Sequence, residues 1–200
     1  MIKNILTAAV IGLAAIGAQA NELSNGSFES SSSSSGSYCY GAACSVADWT
    51  APLLISSTSG PWSDPSATAG TIDLGNWVAG IQNNQVLSSD FSLIAGHTYT
   101  LTWDDAGRAY YDTHSYDITS GGQEIASLTT VAGQAWSEHT LTFTAGASGE
   151  LTFAGVNTRD GTTFIDNVSI TTTAIPEPAS LLLMLAGLAP LVAWRRRSRA

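Results

Sequence analysis

The sequence predicts an all-β protein folded as a two-sheet jelly-roll β-sandwich. Three observations carry this. Threonine-rich segments with period-two alternation recur through the middle of the chain, Gly, Pro, Asn and Ser separate them at regular spacing, and no segment there has helical periodicity. Strands spaced in this way, without helices between them, pack as two facing sheets. No internal repeat and no second domain interrupts residues 21–174, a length that buries a real core.

In chain order, the serine tract from Ser30 to Ser35 has no apolar content and reads as a flexible surface loop. Leu53 to Ile55 and Val78 to Ile81 are short apolar runs bounded by turn residues. His97 to Trp103 alternates strictly, with Tyr99, Leu101 and Trp103 on one face and Thr98, Thr100 and Thr102 on the other. Tyr116 to Ile118 and Ile125 to Leu128 flank Gly121-Gly122, a hairpin signal because glycine permits the positive φ of tight turns. Thr140 to Thr144 and Leu151 to Phe153 alternate again, and Thr163 to Ile170 makes the last strand. Trp49, Trp103 and Trp136 are expected in the core.

Both ends of the chain read as processing segments. Residues 1–20 carry Lys3, an apolar run from Ile5 to Ile16 and a small-x-small site at Ala18-Gln19-Ala20, the plan of a secretory signal helix handled by the Sec translocon and signal peptidase. Residues 175–200 hold Pro176-Glu177-Pro178, an apolar run from Ala179 to Trp194, and Arg195, Arg196, Arg197 and Arg199. As a helix that run spans ~24 Å, a little short of the ~30 Å hydrocarbon core, so it is a candidate transmembrane helix. Trp194 suits the interface and the arginines the cytoplasmic side. A plain anchor and a buried core helix are the alternatives. This tripartite tail resembles the PEP-CTERM sorting signal of Gram-negative bacteria. The resemblance implies an exosortase substrate, cut near Pro178, exported to the cell envelope or beyond after transient anchoring in the inner membrane.

Between the two ends, lysine is absent. Only Arg108 and Arg159 stand against fifteen acidic residues, a net charge near −13. Such a body repels phosphate backbones, which argues against a nucleic-acid partner, and tolerates divalent cations or acidic polymers bridged by them. Simple solubility explains the acidity equally well. Cys39 and Cys44, the only cysteines, are expected to form a local disulfide outside the cell.

Leu23-Ser24-Asn25-Gly26-Ser27-Phe28-Glu29, Trp49 downstream, Ala95 to Leu101, Trp136 before Leu141 to Ala145, and Phe164-Ile165-Asp166-Asn167-Val168-Ser169-Ile170 follow one another in an order similar to the galactose-binding-like jelly rolls. These include family 4/9-type carbohydrate-binding modules and DUF642-type wall proteins. The resemblance implies that the first and last strands lie side by side, with one structural calcium where they meet, held by Glu29 and Asp166. Calcium takes several oxygen ligands, and it compensates a carboxylate otherwise costly at a strand pairing. Otherwise Glu29 is a solvated carboxylate and Asp166 a strand-end residue. Asn25 reads as a turn residue before Gly26.

The densest candidate ligand-binding stretch runs from Trp103 to His114. It offers Asp104, Asp105, Arg108, Tyr110, Tyr111 and Asp112, with Trp62 and Trp77 as further aromatic platforms. Sugars stack on aromatic faces while planar polar groups hold their hydroxyls. Asp104 and Asp105 are neighbours on a strand pattern and point to opposite faces, so they do not form a facing pair for glycoside hydrolysis. His97, His114 and His139 have no metal-site spacing, and no nucleophile elbow occurs. The sequence therefore predicts a non-catalytic surface or matrix protein associated with extracellular polysaccharide. A secreted glycan-active hydrolase is the alternative.

Overall fold

The computed structural model describes residues 21–172, except 35, 59–61 and 63. The signal segment, Pro176, Glu177, Pro178 and the apolar tail lie outside the described residues. Among the described residues no helix is long and apolar enough to cross a membrane.

Thirteen strands are described: β1 (Ser31–Ser33), β2 (Tyr38–Tyr40), β3 (Cys44–Val46), β4 (Trp49–Thr50), β5 (Leu53–Ser56), β6 (Trp77–Gln82), β7 (Val86–Leu93), β8 (Thr98–Gly107), β9 (His114–Ser120), β10 (Gln123–Thr130), β11 (Ser137–Thr144), β12 (Gly149–Gly155) and β13 (Thr162–Thr172). They form a six-stranded sheet, β11-β8-β13-β6-β5-β2, facing a five-stranded sheet, β10-β9-β12-β7-β4, with β1 and β3 paired at the side. Every pairing is antiparallel. This is the predicted two-sheet jelly-roll sandwich.

Between the sheets, Tyr99, Leu101 and Trp103 from β8 and Ile165 from β13 meet Tyr116 and Ile118 from β9 and Leu151 and Phe153 from β12. A second cluster lies on the outer side of the six-stranded sheet. There Leu53, Ile55, Val78, Ala106 and Phe164 are roofed by Trp62, Leu74 and Trp136. Strands β5 and β6 therefore bury both faces, which is why their sequences run apolar without alternation. The edge strand β11 buries one face only and alternates throughout. Trp136 donates from Nε1 to the Pro65 carbonyl at 2.8 Å, fastening the segment between β5 and β6 as a strap over this cluster.

Gly121 (φ 56°) and Gly122 (φ 79°) make the predicted turn, bringing Ser120 opposite Gln123. The serine tract differs from expectation. Ser31–Ser33 is a strand, because its backbone finds partners along Cys44–Val46. Cys39 and Cys44 are bonded, with Cα atoms 5.3 Å apart, and close the short turn Gly41–Ala43 between β2 and β3.

The N-terminal segment runs antiparallel to β13. Glu22 N–H donates to the Ile170 carbonyl at 2.8 Å and Val168 N–H to the Gly26 carbonyl at 2.8 Å. A Cβ at position 26 would collide with the Val168 carbonyl oxygen, so only glycine allows this approach. Asn25 (φ 50°) turns the chain: its side chain accepts from Ser30 N–H and donates to the Ala47 carbonyl, both at 2.8 Å.

Candidate functional site

The stretch predicted to bind ligand divides in two. Trp103 to Gly107 belongs to β8, and only 108–113 is loop. Asp105 points into the sandwich and is fully engaged: it accepts from Tyr116 Oη at 2.7 Å, from His139 Nε2 at 2.9 Å and from Gln134 Nε2 at 3.2 Å. Trp103 Nε1 donates to Tyr116 Oη at 2.9 Å, and burial together with Asp105 pushes the Tyr116 phenol far above its ordinary value. The hydrogen bond to Asp105 raises the His139 imidazole in turn. Asp105 is thus a core linker rather than a ligand contact.

Asp104 points to the opposite face, as expected of neighbours on a strand. There it meets Asp166, its register partner on β13. A bulge after Asp166, with Asn167 at φ 50°, turns Asn167 to donate to Asp104 Oδ2 at 2.9 Å and to the Asp73 carbonyl at 3.0 Å. Asp166 Oδ1 accepts from Asn167 N–H at 2.7 Å. Asp104 Oδ1 and Asp166 Oδ2 are buried with no hydrogen-bond partner. Burial above all, then the charges of Glu29, Asp104 and Asp73, push the Asp166 carboxyl up to about 9. Burial also raises the Asp104 carboxyl.

Glu29 stands close enough to Asp166 for its charge to be felt there. Its carboxylate is held by Asn76 N–H at 2.8 Å, Trp77 N–H at 2.9 Å and Asn76 Nδ2 at 2.8 Å, and Gly75 approaches so closely that a Cβ would press on it. Among the described residues, no three His, Cys, Asp or Glu side chains converge as a ready metal cluster. Two orphan carboxylate oxygens sit on register-partner residues instead, each an unmet acceptor costing ~1–3 kcal/mol. Carboxyl oxygens are the donors calcium takes, and an ion there would have to displace the proton that burial holds on Asp166.

A different arrangement occurs where β2, β6 and β8 end and β13 begins. Arg108, just past β8, lays its guanidinium between two rings, 3.9 Å from the Trp62 centroid and 3.5 Å from that of Tyr111. Trp62 is buried, which corrects its reading as an exposed platform: the strap folds over the sheet and makes it the floor. Trp77 is half-buried at the start of β6 and packs against the main core, so it too is not a free platform. The exposed faces belong to Tyr111 (39% exposed) and to Tyr40 (43%), whose ring sits 5.8 Å from Trp62. Tyr40 Oη donates to Gln82 Oε1 at 3.2 Å, and Gln82 Nε2 donates to Asp160 Oδ1 at 2.8 Å. Tyr110, adjacent in sequence to Tyr111, is 94% exposed with φ 68°. Asp112 borders the loop, its N–H on the Asp160 carbonyl at 3.1 Å.

The chemistry of this surface is aromatic faces held rigid by a cation–π stack, edged by a planar amide and a carboxylate. Such groups offer stacking area and hydrogen bonds without a bound charge to neutralise. Sequence reasoning named Arg108, Tyr110, Tyr111 and Asp112. It missed Tyr40, Gln82 and Asp160, which come from three distant stretches and carry no local signal. Asp73 and Asn167 were missed at the acidic cluster for the same reason.

No family model matches the chain, and no curated protein matches it. Solved structures similar to it include TmCBM61 in complex with β-1,4-galactotriose, 14% identical, covering 77% of this chain and 99% of that one at a TM-score of 0.43. The K1 cleaved adhesin domain of Lys-gingipain from Porphyromonas gingivalis W83 is 15% identical, covering 64% and 92% at 0.44. The N-terminal cellulose-binding domain of Cellulomonas fimi β-1,4-glucanase C is 14% identical, covering 50% and 78% at 0.36.

Proposed function

We infer that this protein is an exported, non-catalytic module that binds polysaccharide at the Tyr40–Tyr111 surface. The carrying observation is the Tyr111 ring fixed over Arg108 at 3.5 Å, beside an exposed Tyr40 tied to Gln82 and Asp160. A sugar ring laid on these faces gains C–H stacking, and its hydroxyls find the Gln82 amide and the Asp160 carboxylate. The strongly acidic body favours neutral chains, or anionic ones bridged by divalent cations. A glycan array on the exported protein tests this, with Tyr111→Ala as control. Binding that is absent, or unchanged in the variant, refutes it. A hydrolase would need two carboxylates facing across the substrate, and reducing-end release from any bound glycan would favour that reading.

Export rests on the Cys39–Cys44 bond, which persists in oxidising compartments. The PEP-CTERM-like tail supports delivery by the Sec translocon, trimming by signal peptidase and sorting by an exosortase to the cell surface or extracellular matrix. Mass spectrometry of the protein recovered from its native host decides this, since retention of Trp194 would mark a standing membrane anchor.

A cation at the acidic cluster is the second reading, favoured by the orphan oxygens of Asp104 and Asp166. Calcium there would take those two oxygens, with Glu29 and Asp73 adding negative charge, and would supply structural charge compensation. Melting with calcium and with chelator tests it: equal midpoints exclude the ion.

A further inference from the structure

We propose that the free edge of β11 pairs with the same edge of a second copy, joining two six-stranded sheets into one. Among the described residues no strand lies beyond β11. Exposed edges offer bare N–H and C=O groups, and proteins that stay apart protect them with lysine, proline, bulges or shortness. β11 has none of these. It is eight residues long, Ser-Glu-His-Thr-Leu-Thr-Phe-Thr, and pairs with β8 without a register break from Ser137↔Asp105 to Thr144↔Thr98. By contrast β10, the corresponding edge of the other sheet, carries a bulge between Glu124 and Ala126.

The partner is specified by charge and by parity. In a body with fifteen acidic residues, two copies repel one another over most of their surface. β11 carries a single carboxylate, Glu138. Antiparallel pairing places residues of the same face opposite each other, and a two-fold axis makes the contact isologous. Centred on Leu141, the pairing sets Leu141 against Leu141 and His139 against Phe143 on the inner face. On the outer face Thr140 meets Thr142, and Glu138 meets Thr144, never another Glu138. The outer pairs continue a threonine ladder already present inside the sheet, where the hydroxyls of Thr98 and Thr144 lie 2.9 Å apart and those of Thr100 and Thr142 3.2 Å apart. Cross-strand Thr–Thr pairs of this kind stabilise sheets.

The register gives the test. Thr140 and Thr142 are exposed, so charges there leave the monomer folded. The full chain in detergent micelles of known mass, and the variants T140K/T142K and T140K/T142E, are compared by sedimentation over a range of concentrations. In the proposed register position 140 of one copy faces position 142 of the other on both sides of the axis. The first variant therefore sets lysine against lysine twice, and the second sets lysine against glutamate twice. The expected result is a dimer for the natural chain, a monomer for the Lys/Lys variant and a dimer again for the Lys/Glu variant. A natural chain that stays monomeric overturns the proposal. So does a Lys/Lys variant that dimerises equally, which would place association elsewhere, and so does a Lys/Glu variant that stays monomeric. Unchanged circular dichroism in the variants separates lost pairing from lost folding.

Discussion

At Tyr111 the proposed binding and the fold are separable. The ring is partly exposed and packs on Arg108, so Tyr111→Ala is expected to weaken glycan binding about tenfold, the loss of a ~1–1.5 kcal/mol aromatic contact, with little change in melting temperature. Titration calorimetry beside a melting curve checks both halves. At Asp166 the expected outcome is reversed. Asp166→Asn removes a buried carboxyl that has no partner for Oδ2, so the variant melts at or above the natural protein in chelator and no longer gains from calcium. His114 is fully buried, with Nε2 donating to the Asn83 carbonyl at 2.8 Å and Nδ1 accepting from Thr163 Oγ1 at 2.9 Å. Burial holds its pKa below the ordinary 6.5, so the folded imidazole stays neutral while the unfolded one gains a proton as pH falls. Its contribution is therefore present above pH ~6.5 and lost progressively below it. His139, raised by Asp105, changes in the opposite sense from higher pH, and Asp166, raised to about 9, also gains stability as pH falls. The His114 effect is therefore read as the difference between the natural protein and His114→Gln below pH ~6.5. The melting temperature of His114→Gln relative to the natural protein should rise as pH falls below ~6.5.

At the scale of elements, Gly26 is the tightest constraint. Gly26→Ala drives a Cβ into the Val168 carbonyl and should lift the N-terminal segment off β13, costing ~1–3 kcal/mol in chemical denaturation. The elements whose two sides differ are legible in the sequence. β8 and β11 alternate because one face meets the core and the other meets solvent, and the Gly121-Gly122 hairpin follows from backbone freedom alone. Legibility failed where tertiary burial overrode local composition. Trp103 to His114 reads as one ligand-binding stretch, yet Asp104 to Gly107 belongs to β8, where each carboxylate finds its own environment on a different side of the sheet. Trp62 lies among Gly, Pro and Ser and reads as exposed, yet the strap carries it over Leu53 and Phe164. Glu29 and Asp166 were placed together through a resemblance in motif order, whereas Tyr40, Gln82 and Asp160 are joined only by the fold.

Across the whole molecule, charge and chain connection dominate. Between residues 21 and 174 two cations stand against fifteen acids, so self-repulsion opposes the compact state, and screening by salt within a Debye length of ~8–10 Å relieves it. Raising sodium chloride from low to moderate concentration should therefore raise the melting temperature of the domain, even in chelator. A flat response would mean that the acids are already compensated locally. The course of β13 has a mechanical corollary. This eleven-residue strand lies between β8 and β6, with the N-terminal segment bonded alongside its far end. A pull on the chain beyond Thr172 is transmitted straight into the middle of the larger sheet. Strands inside a sheet part by shear, with many rungs strained together, whereas a peripheral ribbon unzips one rung at a time. Such a load would enter the body through an eleven-residue strand held on both sides.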